Sequence, residues 1–137
     1  MSQLSANKPR VYGFLSGPGA INNLPIKAST EIWLGSVVGM TAGYARQLVS
    51  GDVFGGFADQ HINNDIATDG AKTVPVKQSG LIELTITGVA VTDIDAPVYA
   101  SDGDTFTLTA GANTYIGKVH RYVSSNTAIV SYAVSYP

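Results

Sequence analysis

Two short stretches hold most of the side chains in this sequence that could do chemistry. The first is Ser101-Asp102-Gly103-Asp104-Thr105-Phe106-Thr107-Leu108, which sets two carboxylates around a glycine. Such a group could open a calcium loop or supply half of a catalytic carboxylate pair. An EF-hand loop needs oxygen ligands at alternating positions, a glycine at its sixth residue and a bidentate Glu at its twelfth. Counted from Asp102 those residues are Thr107 and Asn113, so the ligand set fails. Asp-Gly is instead a favoured dipeptide for a type I′ turn, because glycine adopts φ > 0 without steric cost. With "PVYA" before it and "TFTLT" after it, the stretch reads as a hairpin that turns at Asp102-Gly103.

The second stretch is "ADQHINNDIATDGAKT", which carries Asp59, His61, Asn63, Asn64, Asp65 and Asp69. A histidine among carboxylates could hold a divalent cation, and His61 could act as a general base. Neither His-x-x-x-His nor His-Glu-x-x-His spacing occurs, and His120 lies between Val119 and Arg121 as an ordinary sheet-surface residue. The segment is therefore expected to be a solvated loop. A hydrolase built from His61 with Asp59, Asp65 or Asp69 has no motif behind it. "SGPGA" at residues 16–20 is neither a nucleophile elbow nor a phosphate loop, and nothing places the only glutamates, Glu31 and Glu83, as a glycosidase pair. No catalysis, metal or cofactor is expected. Trp33 and the seven tyrosines remain. They suit core and interface packing, or a flat apolar platform for sugars.

The elements that position these residues read as strands. From residue 26 the apolar period is 2, clearest in "LIELTITGVAV", where Ile82, Leu84 and Ile86 share one face and Glu83, Thr85 and Thr87 the other. "TFTLT", "TYIGKVHRYV" and "AIVSYAV" continue the pattern, with Gly, Asn and Asp between them. The expected fold is all-β: a small barrel or sandwich of short antiparallel strands, in one domain over residues 26–137. Residues 1–25 differ. They hold Lys8 and Arg10 but no acid, and Pro9, Pro18 and Pro25 break regular structure. Val11, Tyr12, Phe14, Leu15 and Ile21 are too apolar for a freely solvated tail, so this region is expected to be an extended arm lying on the body or on a neighbouring subunit.

Composition narrows the function. The chain of 137 residues is 45% hydrophobic and 13% charged, with net charge −2 and no cysteine. Typical chains are about 25% charged, so much of this surface is uncharged, as suits packing against other subunits. No basic stripe neutralises a run of phosphates, which argues against nucleic acid as partner. No apolar run is long enough to span a membrane, and the start lacks a signal core, so neither membrane nor secretion is expected.

The order of landmarks adds a family. "VFGGFAD", a polar loop, "VPVKQSGLIELTITGV", "APVYASDGDTFTLT" and "YIGKVHRYVSSNTAIVSYA" follow one another over about residues 50–134. This order resembles that of the small decoration, or cement, proteins of tailed-bacteriophage capsids. The resemblance implies a β-barrel-like domain on the outer surface of the virion head. Its partners would be the major capsid protein and itself, commonly as a homotrimer at three-fold positions. Under that reading Val11, Tyr12, Phe14 and Leu15 would be buried at subunit junctions, with Lys8 and Arg10 adding charge complementarity. The competing expectation is a surface-displayed module that grips host glycans with its aromatic residues.

Overall fold

The computed structural model of the chain describes residues 3–13 and 21–134. Within them run thirteen strands: β1 (Tyr12–Gly13), β2 (Ile21–Pro25), β3 (Thr30–Ile32), β4 (Val37–Thr41), β5 (Tyr44–Gln47), β6 (Val53–Ala58), β7 (Ile62–Asn64), β8 (Thr73–Lys77), β9 (Ser79–Thr85), β10 (Pro97–Asp102), β11 (Thr105–Thr107), β12 (Thr114–Ser124) and β13 (Thr127–Ala133). A single 3-10 turn, Val91–Asp93, is the only helical piece among the described residues.

The strands form three antiparallel sheets: six strands in the order β1-β9-β13-β12-β10-β11, five in the order β2-β8-β6-β4-β5, and the pair β3-β7. The architecture is a sandwich. The five-stranded sheet curls until a single parallel bridge, Ile26 to Ala45, links its two ends, but no sheet closes into a barrel. The two large sheets bury Ile82, Leu84, Val98, Ile116 and Val130 of one against Val37, Phe54 and Phe57 of the other. A second core, Ile26, Ile32, Val38, Ala45, Ala58, Val74 and Val76, fills the opposite face of the five-stranded sheet. Strands β4 and β6 are thus covered on both faces, and their sequences read as continuous apolar runs with glycine. Along β9 and the two residues after it the alternation holds as expected, with Ile82, Leu84 and Ile86 buried and Glu83, Thr85 and Thr87 exposed. Each large core side chain contributes roughly 1.5–3 kcal/mol of burial, so Phe57, fully buried among the rings of Phe54, Phe106 and Tyr132, is a principal anchor.

Turn geometry departs from the sequence reading in one place. The β10–β11 hairpin forms, but Asp102 pairs with Thr105, so Gly103-Asp104 is the turn. The register shifts between Ala100 and Asp102, which moves the turn one residue along. Gly103 is not in a left-handed conformation; among the described glycines those with positive φ lie elsewhere. It is glycine because a Cβ there would strike Gln3 Oε1, Ser36 Oγ and Gln47 Oε1. A type I′ turn does occur between β4 and β5, where Ala42 and Gly43 have φ of 51° and 88°.

Two boundaries also differ from the sequence reading. The polar stretch after β6 is not all loop: Ile62–Asn64 pairs with Thr30–Ile32 as β7. The arm does not end at residue 25 as a separate piece, because β2 is a full member of the five-stranded sheet, pairing along its length with β8.

Candidate functional site

The N-terminal residues named from sequence are positioned by one carboxylate 94 residues away in the chain, that of Asp104 at the tip of the β10–β11 hairpin. Arg10 Nη2 donates to Asp104 Oδ1 at 2.9 Å, and Lys8 Nζ reaches both carboxylate oxygens at 2.8 and 2.9 Å. Arg10 Nε donates to Gly35 O at 2.8 Å, and its guanidinium lies 5.9 and 5.5 Å from the ring centres of Phe57 and Phe106. The Arg10 side chain is only 5% exposed. It therefore closes the apolar core as a cation over two rings. Polar groups fix the rest of the segment. Gln3 Nε2 donates to Leu48 O, Gly103 N–H donates to Gln3 Oε1, and Leu4 exchanges hydrogen bonds with the Gln47 side chain. Lys8 N–H donates to Leu34 O.

Further along, Glu83 N–H donates to Val11 O and Tyr12 pairs with Ile82, which makes β1 the edge of the six-stranded sheet. Tyr12 packs on the main core under Lys77, whose ammonium is 3.8 Å from the ring centre. Burial pushes the Tyr12 hydroxyl up to about 12, opposed by Arg10 and reinforced by Asp59. Val11 points outward and is 63% exposed. Phe14 and Leu15 lie outside the described residues.

Both outer strands on this side of the molecule thus come from the N-terminal region. β1 borders one sheet and β2 the other, pairing with the consecutive strands β9 and β8. No described strand lies outside β1, whereas the outer edge of β2 is uncovered at Ile21 and meets β5 at its other end through the Ile26–Ala45 bridge. Val11 and Ile21, the latter 53% exposed, stand at these edges.

The polar stretch of residues 58–73 does not gather its acids. Asp59 faces Lys77 at 3.7 Å, Asp65 faces Lys72 at 3.5 Å, and Asp69 accepts a hydrogen bond from Ala28 N–H. Asn64 is buried, and its amide donates to the carbonyls of Ile26, Lys27 and Thr68, which makes it the organiser of this region. His61 meets Glu31 instead of an aspartate, with Nε2 and Oε2 2.6 Å apart. Its ring stacks on Trp33 at 4.1 Å with planes 3° apart. Among the described residues no three potential metal ligands converge.

Trp33, expected in core or interface, belongs to neither core and is half-buried just after β3 with His61 over one face. Tyr132 is a core residue, and burial raises its hydroxyl well above the ordinary tyrosine value. Its hydroxyl has no hydrogen-bond partner. Tyr115 is the one aromatic among the large exposed apolar side chains of the described residues.

Sequence reasoning missed Asp104 as the anchor of the arm, along with Gln3, Gln47 and Asn64. Their roles arise from pairings of 37 to 100 residues in separation, which no local pattern encodes. No family model matches the chain, and no curated protein matches it.

Proposed function

We propose that this protein is a non-enzymatic virion structural protein: a capsid decoration, or cement, protein. It binds the outer surface of a phage head, associates as a homotrimer at three-fold positions and stabilises the shell through the major capsid protein. The observation that supports this reading best is the open edge of β1 together with the uncovered start of β2, which flank the β8–β9 corner with Val11 and Ile21 exposed. Open strand edges offer main-chain groups for augmentation by another chain, and natural proteins cover such edges. The order of sequence landmarks supports the same reading.

The contact residues are refined accordingly. Lys8 and Arg10 hold the arm on its own body through Asp104, so the affinity for neighbours comes from Val11, Ile21 and the strand edges rather than from the two cations. Contacts of this kind are individually weak. Three per trimer act together, because all must release at once for the shell to open.

The test uses the full chain and its double variant Val11→Glu/Ile21→Glu, which alters two exposed positions and leaves the core intact. Native mass spectrometry across a dilution series reads the assembly. The expected species is about 43 kDa, three times the 14.3 kDa chain. The purified protein is then added to expanded heads that lack it, and head disruption is followed on heating. The reading predicts saturable occupancy in threes and a higher disruption temperature, with occupancy lowered about tenfold or more in the double variant. Heads that neither bind the protein nor gain heat resistance would sink it.

A further inference from the structure

A second feature lies away from the N-terminal edges, on the outward face of the six-stranded sheet. Strand β12 carries three irregularities, two of them beside this face. Tyr115 pairs with Tyr99 and Gly117 with Val98, while Val119 pairs with Val130 and Arg121 with Ile129. Each inserts an extra residue and bends the strand. Gly117 lies so close to β13 that a Cβ would strike Ser131 O. The result is a cleft of about 480 Å3 over β12, lined by Asp95, Tyr115, Gly117, Lys118, His120 and Ser131 among others. That volume falls in the range of small-molecule sites, roughly 300–1,000 Å3.

The charges around this cleft are unspent. Of the eight lysines and arginines, five face carboxylates of the same chain: Lys8 and Arg10 with Asp104, Arg46 with Asp52, Lys72 with Asp65, and Lys77 with Asp59. Lys27, Lys118 and Arg121 have no ion-pair partner among the described residues, and the last two are exposed together on β12 with His120 between them. At the cleft margin stands Asp95, held in a left-handed conformation at φ 72° and tied down by its N–H to Val119 O at 2.8 Å. Its carboxylate is exposed and unpaired among the described residues. Tyr115 is 46% exposed and is held edge-to-face by Tyr99, with ring centres 5.9 Å apart.

The geometry points to a binding site for a carboxylated saccharide in this cleft. A sugar ring presents an apolar C–H face to the Tyr115 ring. Its carboxylate neutralises Lys118, with Arg121 adding long-range attraction. Its hydroxyls donate to Asp95 and exchange hydrogen bonds with Ser131 and His120. The mixed signs select this class. A polyphosphate or nucleic acid would be repelled by Asp95 and would find only two fixed cations. An acidic peptide would satisfy Lys118 but brings no hydroxyl array for Asp95. The proposal is independent of the capsid reading, since it uses a different face of the molecule.

The test is titration of the full chain with 3′-sialyllactose and with methyl glucuronide, followed by calorimetry and amide NMR. Lactose, inorganic phosphate and hexaglutamate serve as comparators. The acidic saccharides are expected to bind with shifts confined to residues around Tyr115, Lys118, His120 and Ser131, and lactose about tenfold more weakly. Lys118→Met, an exposed substitution, is expected to lower affinity about tenfold without changing the melting temperature, and Tyr115→Ala by a similar factor. The proposal is overturned by any of four outcomes: no binding at about 10 mM ligand, where a site of 1 mM dissociation constant would be nearly full; equal binding of lactose; equal or tighter binding of phosphate or hexaglutamate; or shifts centred elsewhere.

Discussion

Replacing Asp104 by alanine removes the carboxylate on which the N-terminal segment depends, and its cost follows from what remains. Arg10 would keep its bond to Gly35 O and its place over Phe57 and Phe106, but would lose its only counter-charge among the described residues. Its side chain is 5% exposed, so little water replaces the lost partner. Breaking a buried pair by deleting one member costs about 3–5 kcal/mol, because the remaining charge stays desolvated. Asp104 is itself 20% exposed, which admits some solvent and places the expectation near the low end, about 3 kcal/mol. Lys8, at 45% exposure, contributes little, and Lys8→Ala is expected to cost about 0.5 kcal/mol.

Equilibrium urea unfolding of the wild type, Lys8→Ala, Asp104→Ala, Arg10→Met and Asp104→Ala/Arg10→Met measures these terms. The slope with denaturant should stay constant while the midpoint moves. For a chain of this size about 3 kcal/mol corresponds to roughly 10 °C in melting temperature. The informative member is the double variant. Arg10→Met removes the stranded charge and keeps an apolar cover over the two phenyl rings, so it should recover much of the loss, ending within about 1 kcal/mol of wild type. If Asp104→Ala costs under 1 kcal/mol, or if adding Arg10→Met brings no recovery, the idea that a charge pair fixes the segment is wrong.

Three other outcomes are expected. Tyr132→Phe removes a buried hydroxyl that has no partner and should stabilise the protein by about 1 kcal/mol, read as a raised urea midpoint. Ala42→Asn places a residue that tolerates the left-handed region at φ 51° before Gly43, and should gain about 0.5–1 kcal/mol in the same assay. The hydroxyls of Tyr12 and Tyr132 have folded-state values raised by burial above the unfolded value of 10, so their contribution is whole below pH 10 and is lost as pH climbs toward and past 12. Absorbance titration at the tyrosinate band should show these two ionising last, together with loss of fold; ionisation of all seven tyrosines near pH 10 would contradict it.

How much of this was legible in the sequence depended on whether the determinant was local. The alternation in β9 has a direct physical cause, one buried and one wet face, and the sequence shows it residue by residue. The β10–β11 hairpin was legible as a pair of strands but not in its turn. Asp-Gly signalled a left-handed glycine, whereas Gly103 serves the close approach of Gln3, which lies 100 residues away. Strand β7 was hidden for a similar reason. "INN" carries no strand propensity of note, and it is held by the register with Thr30–Ile32 and by the three hydrogen bonds of the Asn64 amide. Trp33 sits between Ile32 and Leu34, which suggested burial, yet only Ile32 enters the core. β3 ends at Ile32, so Trp33 lies one residue past the strand, where its ring stacks on His61.

The distribution of charge ties these features together and separates the two proposed surfaces. Five of the eight basic side chains are spent within the chain, so the N-terminal edges present apolar side chains and main-chain groups with little net field. Association there should depend weakly on salt, because screening acts on exposed charges and hardly on apolar burial or strand pairing. The β12 cleft carries the unpaired Lys118, with Arg121 further along the strand, and binding of an anionic ligand there should weaken as salt rises. Raising sodium chloride from about 0.05 to 0.5 M shortens the screening length about threefold. Across that range assembly and head occupancy should hold steady while the apparent affinity of the cleft falls severalfold. Occupancy that collapses with salt would instead place Lys8 or Arg10 at the interface, and would mean that the Asp104 pairs open when the protein docks.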